Sequence, residues 1–136
     1  MAITVTGEYA LVVKVDVSNL ENSSAWYTGK LGLIPDPDFS TSTWVQLNFP
    51  GINGVALGLN LNPSAAGSAS ETTTIVVTNI TVARDELILQ GVEVSAIQQV
   101  GEGVSLAFFA DPDGNKLGLR QNSASHPSVS RIGATQ

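Results

Sequence analysis

The chain of 136 residues has no cysteine and a single histidine, His126. The first absence removes disulfides, thiolate zinc sites and thiol nucleophiles. The second leaves no Ser-His-Asp set, because His126 lies in a Ser-rich C-terminal stretch. Positive charge is scarce as well. Six Lys and Arg stand against twelve Asp and Glu, for a net charge of −6 and a pI near 4.4. A nucleic-acid partner needs a basic stripe, so none is expected. No apolar run approaches the roughly 20 residues of a membrane span. The start, Met1 to Thr6, lacks the basic and long apolar regions of a secretory signal. A cytoplasmic protein with no membrane partner follows as the expectation. There is also no Walker loop or Rossmann fingerprint. What is present is a core-forming composition, 43% hydrophobic and 13% charged.

Those residues recur with one spacing. Gly54-Val55-Ala56-Leu57-Gly58-Leu59 is answered by Gly114-Asn115-Lys116-Leu117-Gly118-Leu119, and 114 − 54 = 60. Val17-Ser18-Asn19-Leu20 is answered by Val77-Thr78-Asn79-Ile80, and Phe49 by Phe109, at the same offset. The chain is therefore an internal duplication. One half is too small to bury a sufficient core alone, so residues 1–136 are expected to form a single domain. Unit one spans about 10–61, a flexible linker 62–71, unit two about 72–121, and a tail 122–136. Residues 1–9 are weakly patterned and carry no assigned role.

Alternating valines from Ala10 to Val17 predict a half-buried strand. Asn19 suits an N-cap, and Leu20, Ser24, Tyr27 and Leu31 fall at helical spacing until Gly29 and Gly32 stop the helix. Pro35 and Pro37 predict a loop running into the polar stretch 38–43. Strands follow at Trp44 to Phe49 and Val55 to Asn60, joined by turn residues. The second half repeats the order: Thr73 to Val77, a helix capped by Asn79 and ended by Gly91, strands at Val92 to Gln99 and Val104 to Ala110, and a turn at Asp111 to Asn115. That turn has Pro112 where type I geometry favours it. Each half thus reads βαβββ, an α+β class, in which Trp26 and Tyr27 are expected to be core residues.

At this point the chain resembles a family. Val-Ser-Asn-Leu-Glu at Val17, then Ala25-Trp26-Tyr27 and Gly32, and Phe109 leading into Asp-Pro-Asp-Gly-Asn, are similar to the vicinal oxygen chelate superfamily of glyoxalases, extradiol dioxygenases and bleomycin-resistance proteins. The resemblance covers about residues 10 to 121. It implies duplicated βαβββ units forming a cupped mixed sheet, a homodimer that completes its cups, and a divalent metal held by four side chains. Those ligands would fall on Val12, Gly58, Thr72 and Gly118. None of the four is His or Glu, so no metal and no other cofactor are expected.

Alternation then suggests what lines the cup. The expected ligand-binding residues are Val12, Lys14, Asp16, Trp44, Gln46, Asn48, Gly58, Asn60, Thr72, Thr74, Leu106, Phe108, Gly118 and Arg120. Aromatic and polar groups together suit a small-molecule partner, with the two glycines leaving room at the floor. Trp44 and Phe108 would stack on the ligand while Lys14, Asp16, Asn48, Asn60 and Arg120 orient it. The bland alternative is that Lys14 and Asp16 merely pair and that Lys116 and Arg120 extend into water. The expected function is metal-independent binding of a small, partly aromatic organic molecule, in the manner of drug-sequestering bleomycin-resistance proteins. Its alternative is a metal-free lyase or isomerase with Asp16 as base and Lys14 or Arg120 steadying an enolate. A carboxylate beside a cation is a weak base, which counts against the enzyme.

Overall fold

Both helices begin on an asparagine, as the repeat requires. A computed structural model describes residues 3–4 and 7–123, so His126 and the tail beyond Ser123 lie outside the described residues. Asn19 is extended, and its side chain accepts from the Asn22 N–H at 2.9 Å, starting α1 (Leu20–Leu31). Asn79 does the same with the Val82 N–H at 3.1 Å, starting α2 (Ile80–Leu89). Each cap satisfies a backbone donor that a helix start leaves without a partner. Gly32, at φ 75°, ends α1 in a left-handed conformation. Gly29 lies inside the helix and does not stop it.

The strands are β1 (Tyr9–Val17), β2 (Ile34–Thr41), β3 (Trp44–Asn48), β4 (Gly54–Leu61), β5 (Thr73–Val76), β6 (Gln98–Val100), β7 (Val104–Ala110) and β8 (Lys116–Asn122). They form two four-stranded mixed sheets, ordered β1-β4-β3-β2 and β5-β8-β7-β6. The chain divides into two units, residues 1–70 with 111–115, and residues 71–110 with 116–136. The parallel pair β1/β4 sets Val13 opposite Leu57, and β5/β8 sets Thr73 opposite Leu117, so the offset of 60 (73 − 13 = 60) holds in the register.

In the first unit α1 packs on β2, β3 and β4. Val15, Val17, Leu47, Leu57 and Leu59 are buried on that face, with Tyr27 of the helix. In the second, α2 packs on β7 and β8, where Ala107, Phe109, Leu117 and Leu119 are buried with Ile80 and Leu87. Fully burying each large side chain contributes about 1.5–3 kcal/mol, which fixes which face of each strand turns to its helix.

Three segments depart from the sequence reading. Pro35 and Pro37 lie within β2, because that strand is at the sheet edge, where a missing N–H costs no ladder bond. Residues 92–97 are not a strand, and only Gln98–Val100 pairs with β7. That segment is partly held otherwise, since the Arg84 side chain donates to the carbonyls of Ser95 at 2.7 Å and Val94 at 3.3 Å. The stretch read as a flexible linker contains hydrogen-bonded turns, with the Ala66 N–H on Asn62 O at 3.0 Å and the Gly67 N–H on Asn115 Oδ1 at 3.1 Å.

Candidate functional site

Register determines which side chains share the face away from α1. Across β1, β4 and β3, Asp16 lines up with Asn60 and Trp44, Lys14 with Gly58 and Gln46, and Val12 with Ala56 and Asn48. The first-unit candidates therefore stand together on one face. In the second unit Thr74 lines up with Gly118 and Phe108, and Leu106 with Arg120. Thr72 precedes β5 and is not part of the strand.

The polar groups on the first face bond mainly to one another. Lys14 Nζ lies 3.0 Å from Asp16 Oδ2, and Asn60 Nδ2 donates to Asp16 Oδ1 at 2.9 Å. The Asn60 hydrogen bond and then the Lys14 contact hold the Asp16 carboxyl below its ordinary value, so it is a poor proton acceptor. Trp44 Nε1 donates to Gln46 Oε1 at 2.8 Å, and the benzo edge of the indole fills the space beside Gly58. A Cβ there would come 1.9 Å from Trp44 Cζ2, so the room expected above that glycine belongs to tryptophan. At Gly118 the space is bounded by Phe108 and Thr74, with Lys116 Nζ 4.6 Å from the Phe108 ring centroid. Arg120 Nε donates to Asn122 Oδ1 at 2.8 Å.

A cavity of about 470 Å³ opens at the far end of the first face. Of the expected site residues only Asn48 lines it, beside Tyr9, Asp36, Phe39 and Ile52. Tyr9 reaches it through a β-bulge. The register shifts between Tyr9 and Leu11, so that Tyr9 pairs with Gly54 while Leu11 pairs with Val55. One extra residue turns an odd-numbered side chain onto the even-numbered face. The Tyr9 hydroxyl donates to Asp36 Oδ2 at 2.7 Å, and the Asn48 side-chain amide lies against the same hydroxyl. Burial, followed by the Asp36 hydrogen bond, raises the Tyr9 pKa above its ordinary value. A second irregularity, between Asp36 and Thr41 of β2, brings Phe39 edge-on to Tyr9 with centroids 5.0 Å apart. Strict alternation could not have found either ring; the paired prolines of β2 were the one local sign that its ladder is interrupted.

The positions that the resembled metal site would use offer one hydroxyl and no imidazole or carboxylate, so they do not fit a divalent ion. Among the described residues no group of three or more His, Cys, Asp or Glu comes together. No described helix is long and apolar enough to cross a membrane.

Tandem βαβββ units, each a four-stranded mixed sheet with its helix on one face, define a duplicated α+β fold. The chain belongs to the Glyoxalase/Bleomycin resistance protein/Dioxygenase superfamily, whose sequence pattern matches residues 11–119. It is similar to the crystal structure of TnmS3, an antibiotic binding protein from Streptomyces sp. CB03234, with a TM-score of 0.73 and 26% identity over 90% of this chain and 99% of that one. A glyoxalase/bleomycin resistance protein from the same strain has a TM-score of 0.67 and 26% identity, covering 82% of this chain and 98% of that one. The bleomycin resistance determinant encoded on transposon Tn5 shares the fold, with a TM-score of 0.68 and 20% identity over 82% and 95%. No curated protein matches the chain.

Proposed function

We propose that this protein binds a small, partly aromatic organic molecule stoichiometrically and without a metal, on the first-unit sheet face that carries Trp44. The observation that carries this reading is the make-up of that face. It combines Trp44 and the hydrogen-bonded polar groups Lys14, Asp16, Gln46 and Asn60 with the small or apolar Val12, Ala56 and Gly58, a mixed composition that suits a ligand-binding wall. Similarity to TnmS3, an antibiotic binding protein, supports the same class of ligand. Trp44, held by Gln46 and half-buried, is the stacking surface, while Lys14, Asp16, Asn48 and Asn60 supply orienting polar groups. Phe108, with Thr74, Leu106 and Arg120, forms a second candidate surface in the other unit. The lowered pKa of Asp16 favours a binding role over proton abstraction.

Titration with bleomycin and a panel of planar aromatic antibiotics, followed by tryptophan fluorescence, tests the proposal. A saturable change near one equivalent is expected, and Trp44→Phe should abolish it while Trp26 remains as background. Silence across the panel would refute the reading. We further infer a homodimer, the arrangement the family resemblance implies; a monomer mass by light scattering at micromolar concentration would exclude it.

A further inference from the structure

The cavity bounded by Tyr9, Ile34, Asp36, Phe39, Asn48 and Ile52 has a chemistry of its own. Among the described residues that line it two are acidic, Glu8 and Asp36, and none is basic. Its hydrocarbon walls are open to solvent: Ile34 is 51%, Phe39 41% and Ile52 56% exposed. Such groups together bind a body with apolar surface. Its polar lining includes two acceptors, Asp36 Oδ2 and Asn48 Oδ1, which converge on the Tyr9 hydroxyl. Each of these oxygens has a further lone pair, and the Tyr9 and Phe39 rings lie edge to face beside them. Carboxylate, amide oxygen and aromatic ring are the groups that recognise an ammonium ion. An anion here would meet Asp36 and Glu8 with no basic side chain in the described lining to offset them.

We propose that this cavity binds a small organic cation, an amine on an aromatic or aliphatic body, with the ammonium at Asp36 and Asn48 and the body between Phe39, Ile34 and Ile52. Trp44 and Lys14 do not line it, and Asn48 is the residue it shares with the surface proposed above, so the two readings are told apart by Trp44 and Asp36.

Tryptamine and indole-3-acetate share one ring system and differ in the sign of charge, which makes them the probes. By isothermal titration tryptamine should bind saturably and indole-3-acetate at least roughly tenfold more weakly, the factor that one good charge contact is worth. Asp36→Asn should weaken tryptamine about tenfold or more, and Phe39→Ala, at an exposed position, should weaken it severalfold. Trp44→Phe should leave it unchanged, which separates this site from the antibiotic surface. Should Asp36→Asn fail to fold, ionic strength replaces it: about 1 M salt, which screens charges beyond about 3 Å, must weaken tryptamine severalfold. Equal affinity for the two probes, binding indifferent to Asp36→Asn or to salt, or no tryptamine binding at millimolar concentration would each overturn the proposal.

Discussion

In the first unit Lys14 lies beside Gly58 and Asp16 beside Asn60; at the same register 60 residues on (74 − 14 = 60), Thr74 lies beside Gly118 and Val76 beside Arg120. The opposite faces are far more alike. Leu57 and Leu59 are buried on one, Leu117 and Leu119 on the other. A face that packs on a helix accepts only apolar side chains of about the right volume, so duplication leaves it little changed. The face without a helix escapes that constraint. One copy acquired an ion pair and a glycine covered by tryptophan, the other a phenyl ring with a lysine over it. Binding chemistry is therefore expected where the two units differ.

The helices sharpen this contrast. Tyr27 of α1 and Leu87 of α2 occupy equivalent positions (87 − 27 = 60), and both are buried. Leu87 fills the core with hydrocarbon alone, whereas Tyr27 donates to Asp111 Oδ2 at 2.8 Å. Leu87→Ala should destabilise by about 2–5 kcal/mol through lost contact and a cavity. Tyr27→Phe keeps the ring and loses one hydrogen bond to a carboxylate, so about 1.5–3 kcal/mol is expected in urea denaturation. A much smaller loss would mean that the Asn115 and Asp113 donors already satisfy Asp111.

Next in size is the glycine pair. Gly58→Ala puts a methyl group into the Trp44 indole and must push that ring off Gln46, for about 1–3 kcal/mol and a shifted Trp44 emission. Gly118→Ala meets Thr74 Oγ1 at 3.3 Å and Phe108 at 3.4 Å, contacts that a small rotation relieves. Its cost should stay below about 1 kcal/mol. Equal costs would show that Trp44 moves freely and that the two glycines do the same work.

How much of this was readable follows from what alternation and capping record. Asn19, Asn79 and the valines of β1 specify both helices and the phase of β1, and period two, anchored on the ligand positions that the family resemblance implies, gives the face shared by Lys14, Asp16, Trp44, Asn48 and Asn60 and the equivalent face at Phe108. The cavity does not. Tyr9 reaches it through one extra residue in β1, and Phe39 through the widened register of β2. An insertion inverts every parity argument beyond it, and nothing at Ala10 marks one. Pro35 and Pro37 read as a loop because their edge position depends on strand order, a tertiary property. The indole beside Gly58 comes from a diagonal contact, since Trp44 pairs with Asn60 and leans back by two residues.

The smallest expected effect lies in the ion pair itself. Asp16 is held below its ordinary 3.8 first by Asn60 and then by Lys14, whereas the equivalent pair, Val76 and Arg120, has no carboxylate to titrate. A depressed folded pKa means that stabilisation is present above the unfolded value and disappears as pH falls through the folded one. Asp16 should therefore support the first unit at neutral pH, begin to lose that contribution near pH 4 and lose it fully only below its lowered folded value. With Lys14 largely in water, the gain is within the roughly 0–1 kcal/mol of exposed pairs. Carboxyl NMR titration resolves it better than denaturation does. Asn60→Ala and Lys14→Ala should each raise the Asp16 pKa, and added salt should diminish only the lysine's share. An unchanged pKa in Asn60→Ala would mean that the bond across the β1/β4 pair contributes little to holding the carboxylate in place.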